Sequence, residues 1–243
     1  MTVSAQKLME VCERTWPAAR MWNQDGWDLR DGMGGGKRVS AATCAVPGVL
    51  GDIDAAADAM RGMSQYPLFM VRGNDGPLDD DLALRGYKLR DPVTLYSAPI
   101  ERLLDLPIPK VTAFCIWEPL AIMTEIWAKG GIGPARIAVM ERAKIKTGIL
   151  ARWNEQPAGT AFAAVHDGVA MVHAVEVLEH QRKQGVAGWL MRASAKWAAE
   201  HGAHTISVLC TDANMGANAL YSGLGFERVG HYHYRELNTK KDI

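Results

Sequence analysis

The chain has 243 residues, 48% hydrophobic and 22% charged, and its 27 basic and 27 acidic side chains leave a formal net charge of zero. Such a chain is long enough for one large or two small globular domains, and the balanced charge argues against nucleic acid or an acidic membrane as a partner. No stretch approaches the roughly 18 uninterrupted apolar residues of a membrane span, and the first residues lack the basic-then-apolar pattern of a signal peptide, so a soluble cytoplasmic protein is expected. Cys12, Cys44, Cys115 and Cys210 are scattered with no CxxC pair. They read as small buried hydrophobes, not as a disulfide frame or a zinc site.

In chain order, Leu8, Val11 and Cys12 fall at helical spacing over residues 4–15, and Trp16-Pro17 ends that helix. Residues 27–30 and 38–46 read as strands of a hairpin around Asp31-Gly32-Met33-Gly34-Gly35-Gly36, since no helix start follows the glycines. A helix over 52–63 opens with Asp52 and Asp54 in its first turn, followed by a short strand at 68–71 and a helix at 78–84. A strand over 87–96 contains Pro92, which implies an edge or a bulge. Residues 99–109 are the richest proline stretch and the natural linker. Beyond it come a strand at 111–117, helices at 121–128 and 132–142, and three antiparallel strands at 146–153, 159–166 and 169–177. Asn154-Glu155-Gln156-Pro157 and Asp167-Gly168 supply the turns between those three. A helix over 186–201, a strand over 205–209, a loop passing into a helix over 214–222 and a strand over 226–235 complete the chain.

The most informative stretch is Val177-Leu178-Glu179-His180-Gln181-Arg182-Lys183-Gln184-Gly185-Val186-Ala187-Gly188, where a strand runs through a basic, glycine-bearing turn into a helix. Small residues let backbone N–H groups approach a ligand, and the positive end of the helix favours anionic oxygens. Neither GxxxxGK[ST] nor GxGxxG is present, which disfavours nucleoside triphosphates and dinucleotides. The remaining pattern, Arg182-x-x-Gly185-x-Ala187, resembles the pyrophosphate-binding motif of the GNAT N-acyltransferase superfamily. A second segment, Asn214-x-x-Ala217-x-x-Leu220-Tyr221-x-x-Leu224-Gly225-Phe226, is similar to the signature of the last helix and strand of those enzymes. The resemblance covers about residues 110–237 and implies an α/β fold with a mixed, mainly antiparallel sheet flanked by helices.

It also implies an N-acetyltransferase that moves an acetyl group from acetyl-CoA to a primary amine by direct attack in a ternary complex. The cofactor site implied comprises Val175, Glu176 and Val177 on the strand, Arg182, Lys183, Gln184, Gly185, Val186, Ala187 and Gly188 in the turn, and Asn214, Ala217 and Tyr221 on the last helix. Asn214 would contact the pantetheine arm or cap its helix. Tyr221 is the candidate general acid toward the coenzyme thiolate, because a phenol keeps its proton at neutral pH. His173 is the candidate base, with an ordinary imidazole pKa near neutrality. It resembles the histidine that arylalkylamine acetyltransferases carry four residues before the strand's last valine. The glutamate used by other branches would fall at Met171, and Glu176 is a second carboxylate candidate. Strand alternation groups His173 with Val175 and Val177, and Val172 with Ala174 and Glu176. His231 and His233 share one strand face but lack further ligands, so no metal is expected.

Leu84-Arg85-Gly86-Tyr87 with the strand after it echoes Leu224-Gly225-Phe226 with its own, which suggests a tandem form: a degenerate copy at 1–98, a linker at 99–109 and a catalytic domain at 110–243. Where the first copy would carry a phosphate turn stand Asp52 and Asp54 and no base, so only the second half should bind the cofactor. A non-catalytic acyl-CoA-binding sensor or regulatory module is the alternative function, and a structural or interaction protein a third. The acceptor, a small-molecule or peptide amine, is not readable, and the oligomeric state, a homodimer among the options, stays open.

Overall fold

The computed structural model describes residues 3–237. The chain folds into two compact units and passes between them more than once. The larger contains the residues through Pro17, Leu95–Cys210 and Asn214–Val229; the smaller contains Ala18–Thr94, Thr211–Ala213 and the chain from Gly230.

In the larger unit, Ser4 Oγ accepts from Lys7 N at 3.2 Å and so starts α1 (Ala5–Thr15), which buries Leu8, Val11 and Cys12 on one stripe. Strands β6 (Ala113–Ile116), β7 (Ile145–Trp153), β8 (Gln156–His166) and β9 (Val169–Val177), with the part of β5 (Lys88–Pro99) from Leu95 onward and of β10 (Thr205–Thr211) up to Cys210, build its sheet. The order there is β5-β10-β9-β8-β7-β6. From β6 to β9 each pair is antiparallel, whereas β9–β10 is parallel. The two predicted turns follow from residues that tolerate positive φ, Asn154 and Glu155 at 49° and 61°, Asp167 and Gly168 at 48° and 71°. Four helices complete the unit beside α1: α4 (Ala121–Lys129), α5 (Pro134–Arg142), α6 (Val186–Glu200) and α7 (Met215–Gly223). Helix α6 lays Leu190, Met191, Ala195 and Ala198 onto Ala161, Ala163, Ala170 and Val172 of the sheet. Fully burying a side chain such as Leu190 is worth about 2 kcal/mol, which holds the helix start in register with the strand ends. The small sheet residues permit the close approach.

The proline-rich stretch is not simply a spacer. Ile100–Leu103 form a short 3-10 helix, and Ile100 and Leu103 are buried in the core of the larger unit.

In the smaller unit, β1 (Arg20–Gln24) and β2 (Trp27–Asp31) form the hairpin, with Asp25 and Gly26 at φ 50° and 85°. The glycine-rich loop does connect two antiparallel strands as expected from sequence, but the second of them is only two residues long. It leads into a 3-10 turn at Lys37–Val39 and then into β3 (Thr43–Cys44), which pairs with β2. The β1–β2 hairpin, not foreseen from sequence, has a local cause: Asp25-Gly26 offers the paired left-handed conformation a two-residue hairpin needs. Helix α2 (Ile53–Gly62), β4 (Leu68–Arg72) and α3 (Gly76–Leu84) follow. Trp27, Phe69 and Tyr87 meet edge to face in its core. A parallel bridge joins Ala42 to Phe69 on β4, and β4 is paired antiparallel to β11 (Glu227–Glu236). Asp91, just before Pro92, is in the left-handed region at φ 42°.

Candidate functional site

Strand β9 ends at Val177, a 3-10 turn covers Glu179–Gln181, and α6 starts at Val186. Between them Lys183 and Gly185 take φ 59° and 81°, a reversal that turns successive amides toward one side. Gly185 is the N-cap of α6 and supplies no side-chain cap, so the first-turn amides are left for a ligand or solvent. A Cβ at Gly185 would find nothing nearer than Trp189 Nε1 at 4.0 Å, so the mouth is open. Arg182, Lys183 and Gln184 are exposed around it, whereas Val186 and Gly188 are buried. Arg182 Nε donates to Val177 O at 3.1 Å, tying the guanidinium to the strand end. Gln184 Nε2 donates to His180 O at 3.1 Å. This uncapped, cationic helix start suits an anion such as a diphosphate.

The parallel ladder between β9 and β10 runs from Val169–Thr205 to Val172–Val208 and then stops. From His173 on, β9 keeps its pairing with β8 while its other edge opens, and the cradle lies at the end of that opening. Beyond β10, Asn214 Oδ1 accepts from Ala217 N at 3.1 Å, so Asn214 caps α7. Asn218, one turn on, accepts from the Tyr96 hydroxyl at 2.9 Å. Tyr221 is buried at 6% exposure, its ring 5.9 Å from Tyr96 and 5.8 Å from Phe226. Burial, with a smaller effect of Cys210, drives its phenol far above the ordinary tyrosine pKa.

His173 lies in a different environment. Its Nε2 is 3.0 Å from Thr15 Oγ1, and Thr15 Oγ1 itself donates to Val11 O at 2.7 Å. The imidazole N–H is then the donor to Thr15. Trp16 packs on the ring at 5.0 Å and Phe162 at 6.1 Å, and His173 is 4% exposed.

The alternation predicted for β9 fails at this point. Opposite β8, Thr160 pairs with Glu176 but Phe162 pairs with His173, so β9 holds one extra residue; Ala174 has φ 51°. This bulge resets the faces. Val172, Val175 and Val177 all pack on the α6 core, while His173 meets Trp16 and Phe162. Trp127, fully buried on α4, donates Nε1–H to Ala174 O at 2.8 Å and so satisfies the bulged carbonyl. Glu176 turns to the loop after α4, where a Cβ added to Gly130 would overlap its carboxyl group. A cavity of about 200 Å³ lies there, lined by Ile126, Lys129, Gly130, Glu176, Val177, Leu178, Glu179 and Arg182. Desolvation raises the Glu176 pKa, opposed by Arg182 and Arg136.

The remaining sequence candidates are distributed elsewhere. His233 Nε2 is 2.7 Å from Asp79 Oδ1, which also accepts from Arg235 Nε at 2.7 Å, while His231 is exposed. Cys12, Cys44 and Cys210 are buried, but Cys115 on β6 is exposed, contrary to expectation. Among the described residues no cluster of three His, Cys, Asp or Glu side chains suits a metal, and no helix is long and apolar enough to cross a membrane. Sequence reasoning missed Thr15, Trp16 and Gly130. A Thr-Trp-Pro sequence ending a helix and a Gly-Gly pair after another give no hint of the histidine or glutamate they meet.

Residues 121–226 match the model of the acetyltransferase (GNAT) family. An uncharacterized N-acetyltransferase of Bacillus subtilis (strain 168), YobR, is 24% identical over 240 residues, which span 95% of this chain and 97% of that protein. The fold is shared with a GCN5-related N-acetyltransferase from Kribbella flavida, at a TM-score of 0.76 and 19% identity over 98% of both chains. It is also similar to a tandem GNAT protein from the clavulanic acid biosynthesis pathway, at a TM-score of 0.56 and 13% identity, covering 80% of this chain and 74% of the other.

Proposed function

Because residues 121–226 match the model of the GNAT acetyltransferase family, we propose that the chain transfers an acetyl group from acetyl-coenzyme A to the primary amine of a small molecule or peptide, by direct attack in a ternary complex. The observation that carries this reading is the start of α6, where Gly185 in the left-handed region leaves amides without a side-chain cap beside Arg182 and Lys183. Acetyl-coenzyme A would supply the acetyl group as a thioester and a thiolate as the leaving group. The amides of Gly185, Val186, Ala187 and Gly188 bind its diphosphate, with Arg182, Lys183 and Gln184 at the mouth. The opened edge of β9 at Val175, Glu176 and Val177 offers backbone groups to the amide-bearing pantetheine arm. Asn214 and Ala217 hold the start of α7 and thereby set Tyr221, whose phenol donates a proton to the developing thiolate. The upward shift of that phenol keeps the proton in place throughout the physiological range. His173 takes a positioning role, its N–H spent on Thr15 and its ring holding the residue before the bulge against Trp16.

The smaller unit reads as a degenerate copy of the same fold. Its order β1-β2-β3-α2-β4-α3, with a parallel bridge between residue 42 beside β3 and β4, repeats β7-β8-β9-α6-β10-α7 with its parallel β9–β10 pair. At its equivalent helix start, Asp52 accepts from Asp54 N and Ala55 N at 2.9 and 3.1 Å. A carboxylate already occupies the amides that a phosphate would need, which supports cofactor binding by the larger unit alone. Isothermal titration with acetyl-CoA, followed by an amine panel read by thiol release, tests the whole reading. One site per chain and amine-dependent release are expected. Absence of binding would reduce the cradle to a helix start.

A further inference from the structure

Glu176 is a partly buried carboxylate that the fold leaves without a partner. Among the described residues it has neither hydrogen bond nor ion pair, although it is partly buried and faces the cavity of about 200 Å³ beside the end of β9. A carboxylate withdrawn from water without a compensating contact is costly, and that cost is most readily offset by a ligand. Three features hold it there. The bulge at Ala174 sends Glu176 to the face opposite Val175 and Val177, Trp127 fixes the bulge, and Gly130 leaves room where any side chain would collide.

We propose that Glu176 is the acceptor-side residue of the transfer reaction: it binds the ammonium of an unbranched primary amine and takes its proton before attack. This rests on the acetyltransferase reading and deepens it by naming an acceptor class. The cavity is smaller than the ~300–1,000 Å³ of pockets that enclose whole ligands, so it admits the aminoalkyl end of an acceptor, with the rest outside. The charged groups around it are Lys129 from α4, Arg136 from α5, and Glu179 and Arg182 from the segment after β9. Arg182 is tied to Val177 O and to the proposed diphosphate, and neither Lys129 nor Arg136 forms an ion pair with Glu176, so its carboxylate is left to receive a cation. The step balances as follows. The ammonium loses one proton to Glu176, and its lone pair forms the N–C bond to the thioester carbonyl. As the C–S bond breaks, the sulfur leaves with the bonding pair and takes a proton from Tyr221. The second nitrogen proton restores Tyr221, and Glu176 releases its proton to solvent.

The test uses the full chain labelled with [δ-13C]glutamate, with the Glu176→Gln variant identifying the resonance. That resonance is expected to titrate above the ordinary glutamate range and to move saturably with n-propylammonium chloride, increasingly so as pH rises through its titration. Tetramethylammonium, with no N–H to give, should leave it in place. Thiol release with acetyl-CoA and n-propylamine should fall about 10²-fold or more in Glu176→Gln, with acetyl-CoA affinity by calorimetry unchanged. A resonance unmoved by n-propylammonium up to the solubility of the salt, or moved equally by tetramethylammonium, would overturn the assignment. Failure of acetyl-CoA to bind the wild type would instead strike the transferase reading and leave the ammonium response readable.

Discussion

Replacing Gly185 by aspartate or by alanine separates the two contributions that the cradle brings together, backbone conformation and charge. At φ 81° any L-residue is strained by about 1–2 kcal/mol, and no clash adds to this because the nearest atom to a new Cβ is 4.0 Å away. Alanine should therefore lower stability by about that amount and leave acetyl-CoA affinity within a few-fold. In aspartate, the same strain is partly offset by a carboxylate at a helix N-terminus, about 0.3–1 kcal/mol. Toward the cofactor the sign reverses. A carboxylate ~5 Å from each of two negative phosphates, at an effective dielectric of ~20, is repelled by about 3 kcal/mol per charge. Screening at this exposed position halves the sum, leaving about 3 kcal/mol, or ~10²-fold in Kd. Aspartate should thus melt at or above the alanine variant and bind acetyl-CoA ~10²-fold more weakly, measured by thermal unfolding and calorimetry on the same samples. Two variants with acetyl-CoA affinities within threefold of each other would refute diphosphate binding at these amides.

Three other outcomes are expected. Tyr221→Phe should reduce kcat about 10²-fold with little change in acetyl-CoA affinity; because burial raises the phenol pKa, the wild-type rate should show no loss from tyrosine ionisation up to pH ~10. Wild-type turnover in that variant would remove Tyr221 from the chemistry. His173→Gln should lower Tm while the acidic limb of the rate profile persists, and disappearance of that limb would make His173 the base after all. Asp79 is held below the usual carboxylate range, first by Arg235 and then, against the cost of burial, by His233. A depressed folded pKa contributes stability above the unfolded value and loses it as pH falls through the folded one. Asp79→Asn should therefore melt lower at neutral pH, by about 1–3 kcal/mol, and narrow its deficit from about pH 4 downward; a deficit constant from pH 7 to 3 would contradict the ion pair.

Much of the larger unit was legible because its signals are local. Ser4 caps a helix, Asn154-Glu155 and Asp167-Gly168 turn strands, and Arg182-x-x-Gly185-x-Ala187 carries its own chemistry in its spacing. The strand β9 was predicted to the residue, yet the direction of its side chains was not. A bulge is set by the strand beside it and by the indole that binds its carbonyl, and Ala174 carries no mark of adopting positive φ. That single insertion moved Val172 to the face of Val175 and Val177 and left His173 against α1. The smaller unit misled for a related reason. The pairing of strands across Gly32 to Gly36 was legible, but the quieter Asp25-Gly26, with left-handed residues at two adjacent positions, made a further hairpin that went unread. Ile100 and Leu103 were absorbed in a proline-rich stretch whose composition hid two core residues.

The division of the chain between its units bears on how the protein is made. Residues 18–94 emerge after α1 but before the sheet that α1 packs on, and each unit draws a segment from beyond residue 210. Neither can therefore complete its own contacts while a ribosome still holds the chain beyond residue 210. A fragment begun at residue 110 would lack α1 and β5, so His173 would lose Thr15 and Trp16 and β10 a neighbouring strand.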